Sequence, residues 1–281
     1  MSIYAYDLGM ATLEQFFTDR LAQGRGYFSR KDALSALGST PVALSAALTR
    51  QIKKGRLASP RQGFYLILRP EDQTAGAPDP VRWIDPLMKY LKTDYRISLL
   101  RAAAFHGATH QAAMVFQVIV PKQMRDFEIG RHRLEFVYQI RADFSGVNQG
   151  NWLDSLKSDA GFAKVAGVEL TLLDCARYFH KAGGINGLAQ IVKDLGGRAK
   201  PASLAKAAMH YENSSVRRLG YLLERMGHSR QAKALQSFVK QAKTAVLLDP
   251  SVKPLLEELD APHEKASKWM LIINEVVEVD S

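Results

Sequence analysis

The first forty residues carry apolar positions at helical spacing. In TLEQFFTDRLAQG the apolar side chains fall at positions 13, 16, 17 and 21, which is one face of a helix over residues 11–23. In FSRKDALSALG, Ser29 and Asp32 resemble a capping box before the apolar positions 33, 34 and 37. The pattern therefore predicts a second helix over residues 29–37.

A third helix is predicted over residues 41–54. Thr40 is a favourable N-cap, Pro41 fits the first helical turn, and Gly55 ends the helix. Apolar residues at i, i+4 and i+8 predict a narrow buried stripe made of Leu44, Leu48 and Ile52. The opposite face then presents polar and basic side chains.

Two short β-prone runs follow, at residues 57–59 and 64–68. They flank PRQG, a compact turn with Pro early and Gly last. Three helices followed by a basic hairpin are the arrangement of a winged helix-turn-helix. In that fold the third helix is narrow enough to enter the major groove of DNA.

The rest of the chain predicts strands followed by helices. The apolar runs MVFQVIV and RLEFVYQI predict strands at 114–120 and 133–140. Helical patterns occupy most of the remainder, at 81–92, 97–107, 169–182, 185–195, 201–211, 214–227 and 229–243, with a final helix or strand at 263–279. The expected fold class is α+β, with an N-terminal winged helix-turn-helix domain followed by a larger, mostly helical α/β domain.

Composition predicts a boundary after residue 70. EDQTAGAPDP, residues 71–80, is rich in Pro, Gly and acids and is typical of a linker. It separates a predicted DNA-binding domain, residues 1–70, from a C-terminal domain, residues 81–281. Residues 1–70 contain ten Lys or Arg and four Asp or Glu, so +6 of the chain's net charge of +10 lies there. Residues 257–281 are acidic, and the role of this tail stays open.

The positive charge is concentrated at the end of the third helix and on the hairpin, and no acid lies between residues 33 and 70. A cation at a helix C-terminus gains only about 0.3–1 kcal/mol from the helix dipole. A bound polyanion therefore explains the crowding better than a solvated face does, although a solvated face is the simpler alternative. We predict that double-stranded DNA contacts polar and basic side chains of the helix and hairpin, namely Thr40, Ser45, Thr49, Arg50, Lys53, Lys54, Arg56, Arg61 and Gln62.

Residues that could serve catalysis or bind a metal have simpler interpretations. His106 and His110 have i, i+4 spacing but lack a third nearby ligand, and Glu135 lacks the neighbouring Lys of a metal-dependent nuclease. GGINGL lacks the flanking strand and the Lys-Ser/Thr of a phosphate loop. Asp174 is predicted to be a buried or tied acid and Cys175 a small core residue. The sequence thus predicts no catalytic residue, no metal and no cofactor.

A single cysteine excludes an internal disulfide and indicates a reduced, cytoplasmic protein. The N-terminal MSIYAYDLGM lacks the features of a secretory signal. No apolar stretch approaches the roughly 18 to 20 residues that span a bilayer. In SSVRRLGYLLERMG, Arg217 and Arg218 flank an apolar helix face, where a solvated surface or a second basic patch is expected.

Four segments together resemble the AbiEi antitoxins of type IV toxin–antitoxin systems. They are YRISLLRAAAFHGATHQ (95–111), VFQVIVPK (115–122), VELTLLDCARYFHKAGGINGLAQIV (168–192) and NSSVRRLGYLLERMG (213–227). The predicted N-terminal winged helix lies where such proteins have theirs. The resemblance extends over residues 10–230 and so covers most of the chain.

The resemblance implies a repressor that binds its own promoter, often at inverted repeats, and a functional partner that is a nucleotidyltransferase toxin of the AbiEii kind, with a part in phage defence. The C-terminal domain of such proteins counteracts the toxin, and the type IV description involves no stable direct complex. The positions that match the DNA-binding element are Thr40, Ser45, Thr49, Arg50, Lys53 and Arg61. No catalytic residue is implied, and no membrane partner is expected.

Two other functions stay open from the sequence alone. The winged helix could be fused to a nuclease-like or transferase-like enzymatic domain, in which case changing Glu135 or Asp174 would abolish a metal-dependent or nucleotide-dependent activity. Alternatively, the basic hairpin could bind an acidic protein partner, and that complex would survive nuclease treatment.

Overall fold

The structure, a computed structural model, describes residues 12–108, 115–158, 161–252 and 265–279. The chain is a mixture of helices and strands, as predicted, and it divides into two compact units. Unit 1 comprises Met1–Asp94, Arg125–Leu134 and Leu156–Ala163. Unit 2 comprises Tyr95–Met124, Glu135–Ser155 and Lys164–Ser281.

Unit 1 begins with the element order of a winged helix-turn-helix. The elements are α1 (Leu13–Ala22), β1 (Tyr27–Ser29), α2 (Arg30–Leu37), α3 (Pro41–Lys53), β2 (Leu57–Arg61) and β3 (Phe64–Ile67). The strands form an antiparallel sheet in the order β1-β3-β2. The three predicted helices and the hairpin are all present. Sequence periodicity missed β1, because three residues are too few to establish an alternating pattern.

Aromatic side chains fill the core of this winged helix. Phe28 is fully buried, and its ring meets the ring of Phe16 edge-on at a centroid distance of 5.2 Å. Leu44 and Leu48 of α3 are each 2% exposed, as expected, but Ile52 is 40% exposed, so the prediction that it completes the buried stripe is wrong. Each four-residue step rotates a side chain by about 40° around the helix. The third member of the stripe has therefore turned away from the core.

Residues 71–80 pack within unit 1, although their composition predicted a linker. Short 3₁₀ helices at Pro70–Asp72 and Pro80–Arg82 frame the segment. The buried Asp72 lies 3.1 Å from Arg82, and the indole N–H of Trp83 donates to the carbonyl of Pro78 at 2.9 Å. The borders of the compact units thus differ from residues 70 and 80. The functional division at those residues stays a prediction.

A six-stranded sheet follows the winged helix and the short helix α4 (Ile84–Tyr90). Its strands are β4 (Arg96–Ile97), β5 (Val115–Val120), β6 (Phe127–Ile129), β7 (His132–Tyr138), β8 (Leu153–Ser158) and β9 (Gly161–Ala166), in the order β6-β7-β5-β4-β9-β8. The apolar strands β5 and β7 match the predictions. The other strands were not predicted, because β4 and β6 are very short and β8 is mostly polar.

Helices form most of unit 2. They are α5 (Leu99–Phe105), α6 (Arg141–Val147), α7 (Val168–Arg177), α8 (Gly184–Leu195), α9 (Pro201–Ala208), α10 (Asn213–Arg225) and α11 (Ser229–Val239). All but α6 were predicted. The residues predicted as a final helix or strand, 263–279, begin outside the described residues and then contain β11 (Lys265–Ala266) and β12 (Leu271–Ile272), which β10 (Val246–Leu247) joins. None of the helices in the described ranges is long and apolar enough to cross a membrane.

Arg217 and Arg218 of α10 are buried, so they form neither a solvated face nor a second basic patch. Arg217 donates to the carbonyls of Thr244 and Met270, and Arg218 donates to the carbonyl of Leu248 at 2.7 Å. Residues 244–248 and 270 fold back over α10 and cover both guanidinium groups. The sequence pattern could not predict this, because the covering residues lie more than one helix away.

Candidate nucleic-acid interface

Helix α3 begins at a capped N-terminus. Thr40 has extended backbone angles, and its hydroxyl oxygen accepts from the backbone N–H of Ala43 at 3.3 Å. Pro41 occupies the first turn, where a backbone N–H would have no acceptor within the helix, so the N–H that proline lacks is not needed. Thr40 is exposed, as expected of a DNA-contacting residue, but its side-chain oxygen is already committed to the cap.

Replacing Thr40 by Ala should lower the free energy of unfolding by about 1 kcal/mol, because one backbone N–H of α3 loses its acceptor. Urea denaturation of the whole chain measures the change. Thr18→Ala is the matched control, since Thr18 lies inside α1 and its hydroxyl donates only to the carbonyl of Glu14. That variant should be unchanged or slightly more stable, because Ala is the better helix former. Equal losses in both variants would contradict the assigned cap.

Arg30 holds the turn between α2 and α3. Its Nη2 donates to the carbonyl of Pro41 at 2.9 Å and to Oγ of Ser45 at 2.6 Å. Sequence reasoning did not select Arg30. A signal was available, because a cation in the first turn of a helix is unfavourable to the helix dipole and so needs a partner. The half-buried Ser45 side chain therefore already accepts a hydrogen bond from Arg30, before any ligand binds.

The hydroxyls of Ser45 and Thr49 both bond within α3. Ser45 Oγ donates to the carbonyl of Pro41 at 2.8 Å, and Thr49 Oγ1 donates to the carbonyl of Ser45 at 2.9 Å. Each hydroxyl thereby uses its single donor on the preceding turn. Thr49 is exposed. These two side chains retain only acceptor capacity toward a ligand.

Three cations project from the C-terminal end of α3. Arg50, Lys53 and Lys54 are exposed, and none of their side chains has a hydrogen bond or an ion pair to another described residue. Gly55, with φ of +66°, ends the helix beside them. The carbonyl end of a helix tolerates positive charge well. This end of α3 therefore presents uncompensated positive charge to solvent.

Arg56 belongs to the same cluster in sequence but has an acidic partner. Both of its Nη atoms donate to the two carboxylate oxygens of Glu14 on α1, and Gln51 donates to the same carboxylate at 3.2 Å. The expectation that no acid offsets the cluster was therefore incomplete. Glu14 lies 42 residues earlier in the chain and close in the fold. Arg56 is thus less available to a polyanion than Arg50 is.

The hairpin turn packs on other residues of unit 1. The guanidinium of Arg61 lies 4.1 Å above the ring of Phe127 and donates to the carbonyl of Arg125 at 2.6 Å. Burial lowers the pKa of Arg61, and the charge of Asp126 opposes that shift. Tyr90 donates to the carbonyl of Gln62 at 3.0 Å, while the Gln62 side chain is exposed. The Arg61 side chain thus packs against other residues of unit 1, and its contact with DNA stays a prediction.

A buried ionic cluster occupies unit 2. Asp174 accepts hydrogen bonds from Arg96, Ser98 and Tyr211 at distances between 2.6 and 2.9 Å, and Arg96 also donates to Gln139. Burial and the charge of Asp174 both raise the pKa of Tyr211, so its hydroxyl stays neutral and donates. Arg96, Ser98 and Asp174 are completely inaccessible to solvent. This buried, hydrogen-bonded arrangement holds the fold together.

The remaining candidates for chemistry are also engaged in structure. Glu135 is ion-paired with Lys181 and accepts from Gln117. Burial, followed by the charge of Asp174, raises the pKa of the Cys175 thiol, which makes it a poor nucleophile. His106 Nε2 lies 2.8 Å from the carbonyl of Ala166, and His110 lies outside the described residues. In the ranges that the structure describes, no three His, Cys, Asp or Glu side chains gather as metal ligands.

A solved structure is similar to this chain in fold. A search of the curated proteins found no match. Among solved structures, the chain is similar to the RV2827C protein from Mycobacterium tuberculosis, with a TM-score of 0.63, 14% sequence identity and coverage of 92% of this chain and 89% of that one. At this identity the likeness concerns the fold alone.

Two family models match the chain itself. The model for the transcriptional regulator of the AbiEi antitoxin family matches residues 17–67, which contain the winged helix from the middle of α1 to the end of β3. The model for the AbiEi antitoxin C-terminal domain matches residues 96–225, which contain the Arg96–Asp174 cluster. Both families are regulatory. The chain therefore belongs to the AbiEi family of antitoxins and transcriptional regulators.

Proposed function

We propose that this protein represses transcription of its own toxin–antitoxin operon by placing α3 in the major groove of promoter DNA. Arg50, Lys53 and Lys54 then neutralise phosphates at the groove edge. The same chain counteracts a nucleotidyltransferase toxin through its C-terminal part. The proposal retains inverted repeats as the expected operator, because such repeats accommodate two copies of one DNA-binding unit.

The uncompensated charge at the end of α3 is the observation that carries the proposal. The three cations are exposed and have no acidic partner among the described residues. They lie at the C-terminal end of the helix that a winged helix-turn-helix places in the groove. Each cation that contacts a phosphate releases condensed counterions and so adds salt-dependent affinity. Arg61 and Gln62 contribute less in this proposal than the sequence suggested, because the hairpin turn is packed within unit 1.

A mobility-shift titration tests the DNA-binding half. The probe is the DNA immediately upstream of the protein's own gene, and an unrelated duplex of equal length and composition is the control. We expect tighter binding to the upstream probe and a steep fall in affinity as salt concentration rises. Equal affinity for both duplexes, or no binding to either, would refute repression of its own operon.

The match of residues 96–225 to the antitoxin C-terminal domain supports the proposal that this chain counteracts a toxin. That activity needs an experiment of its own. The full chain is co-expressed with the nucleotidyltransferase toxin encoded beside it, and growth is measured. A variant carrying Arg50→Glu and Lys53→Glu should lose promoter repression and still protect cells when its own expression is driven from an independent promoter. Loss of protection in a folded variant would show that the two activities are not separable in this way.

A further inference from the structure

The N-terminal half of α3 exposes apolar side chains. Val42 is 80% exposed, and Ala43 and Ala46 are also exposed. A solvent-facing Val on a helix is not unusual alone, because much of a protein surface is apolar. In a winged helix-turn-helix, however, this part of the third helix lies against base edges. In the proposed complex these three side chains therefore occupy the positions that face the bases.

The polar groups nearby cannot read a base by paired hydrogen bonds. Bidentate recognition of guanine or adenine needs Arg, Lys, Asn or Gln, and residues 40–49 contain none of these. The hydroxyls of Thr40, Ser45 and Thr49 are bonded within α3 or its cap. Arg30, the cation beside this half of the helix, is held by Pro41 and Ser45. The helix thus lacks the usual hydrogen-bonding reader at these positions.

The major groove offers one feature that apolar side chains recognise directly, the C5-methyl group of thymine. Contact between that methyl and Val or Ala removes apolar surface of both molecules from water. A cytosine or a purine at the same position presents a polar edge instead and leaves the apolar side chain without a partner. Thymine is then preferred, because only at a thymine does binding remove apolar surface of both the protein and the DNA from water.

We infer that Val42, Ala43 and Ala46 read thymine methyl groups, so that the operator contains thymines at the positions facing the first two turns of α3. This inference rests on the proposed function, and it adds the chemical feature that distinguishes the operator from other DNA. The cations at the other end of α3 supply affinity without sequence preference.

Uracil substitution of the operator tests the inference, because uracil pairs as thymine does and lacks only the methyl group. Binding is measured by mobility shift or fluorescence anisotropy with the full chain, on the upstream DNA with thymine and with uracil in its place. We expect affinity to fall about fourfold for each contacted methyl that is removed. Affinity for an unrelated duplex should not change on the same substitution.

Val42→Ala and Ile52→Ala form a matched pair of variants. Both remove apolar atoms from exposed positions of α3, but Ile52 lies at the phosphate end of the helix. In Val42→Ala the penalty for uracil should shrink, whereas Ile52→Ala should keep the full penalty. Far-ultraviolet circular dichroism checks that both variants are folded.

The outcomes separate this inference from the proposed function. Tight binding to the upstream DNA with no penalty for uracil would overturn the thymine inference and leave the repressor proposal standing. An equal penalty in Val42→Ala and in the unaltered protein would also overturn it. Absence of binding to the thymine-containing DNA would overturn the proposed function and the inference with it.

Discussion

Replacing Asp174 by Ala is expected to lower the free energy of unfolding by about 3–5 kcal/mol, because it strands a buried guanidinium without its counter-charge. The Arg96 and Asp174 side chains are 0% exposed and are joined by two hydrogen bonds of 2.7 and 2.9 Å. Burial alone lowers the pKa of Arg96, but the neighbouring Asp174 more than offsets it, and the pKa lies above its ordinary value. The variant loses this support from Asp174, but a guanidinium is not deprotonated in proteins, so Arg96 stays charged. Urea denaturation monitored by circular dichroism measures the loss.

Two further variants separate a stranded charge from a general loss of packing. Asp143→Ala removes a half-buried acid that lies 4.0 Å from Arg177, and it should cost at most about 1 kcal/mol. Replacing both members of the buried pair, Arg96→Met with Asp174→Leu, should recover at least half of the stability lost in Asp174→Ala, because no charge is then left buried. A loss below about 1 kcal/mol in Asp174→Ala would contradict the assigned role of the pair.

Removing the cations at the end of α3 should weaken operator binding by about two orders of magnitude at 0.15 M salt. Each phosphate contact contributes about 0.9 to the slope of log affinity against log salt concentration, so Arg50→Ala, Lys53→Ala and Lys54→Ala together should reduce the slope by about 2.7. Stability should change little, because the three side chains are exposed and unpaired among the described residues. A mobility-shift series at four or more salt concentrations measures both quantities.

Two single variants serve as controls for that series. Lys157→Ala removes an exposed cation from β8 and should leave both affinity and slope unchanged. Arg61→Ala removes a cation that was predicted to touch DNA but that packs against Phe127. It should lower stability more than it lowers affinity. An unchanged slope in the triple variant would place the phosphate contacts elsewhere on the molecule.

Local sequence signals predicted the winged helix well. The ends of α3 were predicted correctly because an N-cap Thr, a first-turn Pro and a terminal Gly each determine the backbone conformation of their immediate neighbours. The capping box of Ser29 and Asp32 was found for the same reason, and both of its hydrogen bonds are present. Where a short motif determines the local structure, the sequence alone is sufficient to predict that structure.

The sequence could not reveal partners that come from distant parts of the chain. Glu14 pairs with Arg56 across 42 residues, Phe127 covers Arg61 across 66, and Asp174 neutralises Arg96 across 78. Each pairing depends on the tertiary fold, so the spacing of apolar residues along the sequence does not indicate it. All nine predicted DNA contacts stay a prediction, but the structure ties Arg56 and Arg61 to partners within unit 1 and adds Arg30 as the residue that fixes the start of α3.

Site-directed disulfide crosslinking tests most directly whether α3 lies in the major groove. Cys175 is the chain's only cysteine and is fully buried, so a new thiol at Thr49→Cys would be the sole accessible one. The operator carries a thiol tether on the major-groove edge of single cytosines. The account predicts crosslinking through Thr49→Cys at a few adjacent operator positions and none through Lys157→Cys. Crosslinking through Lys157→Cys alone, with Thr49→Cys unreactive at every position, would contradict it.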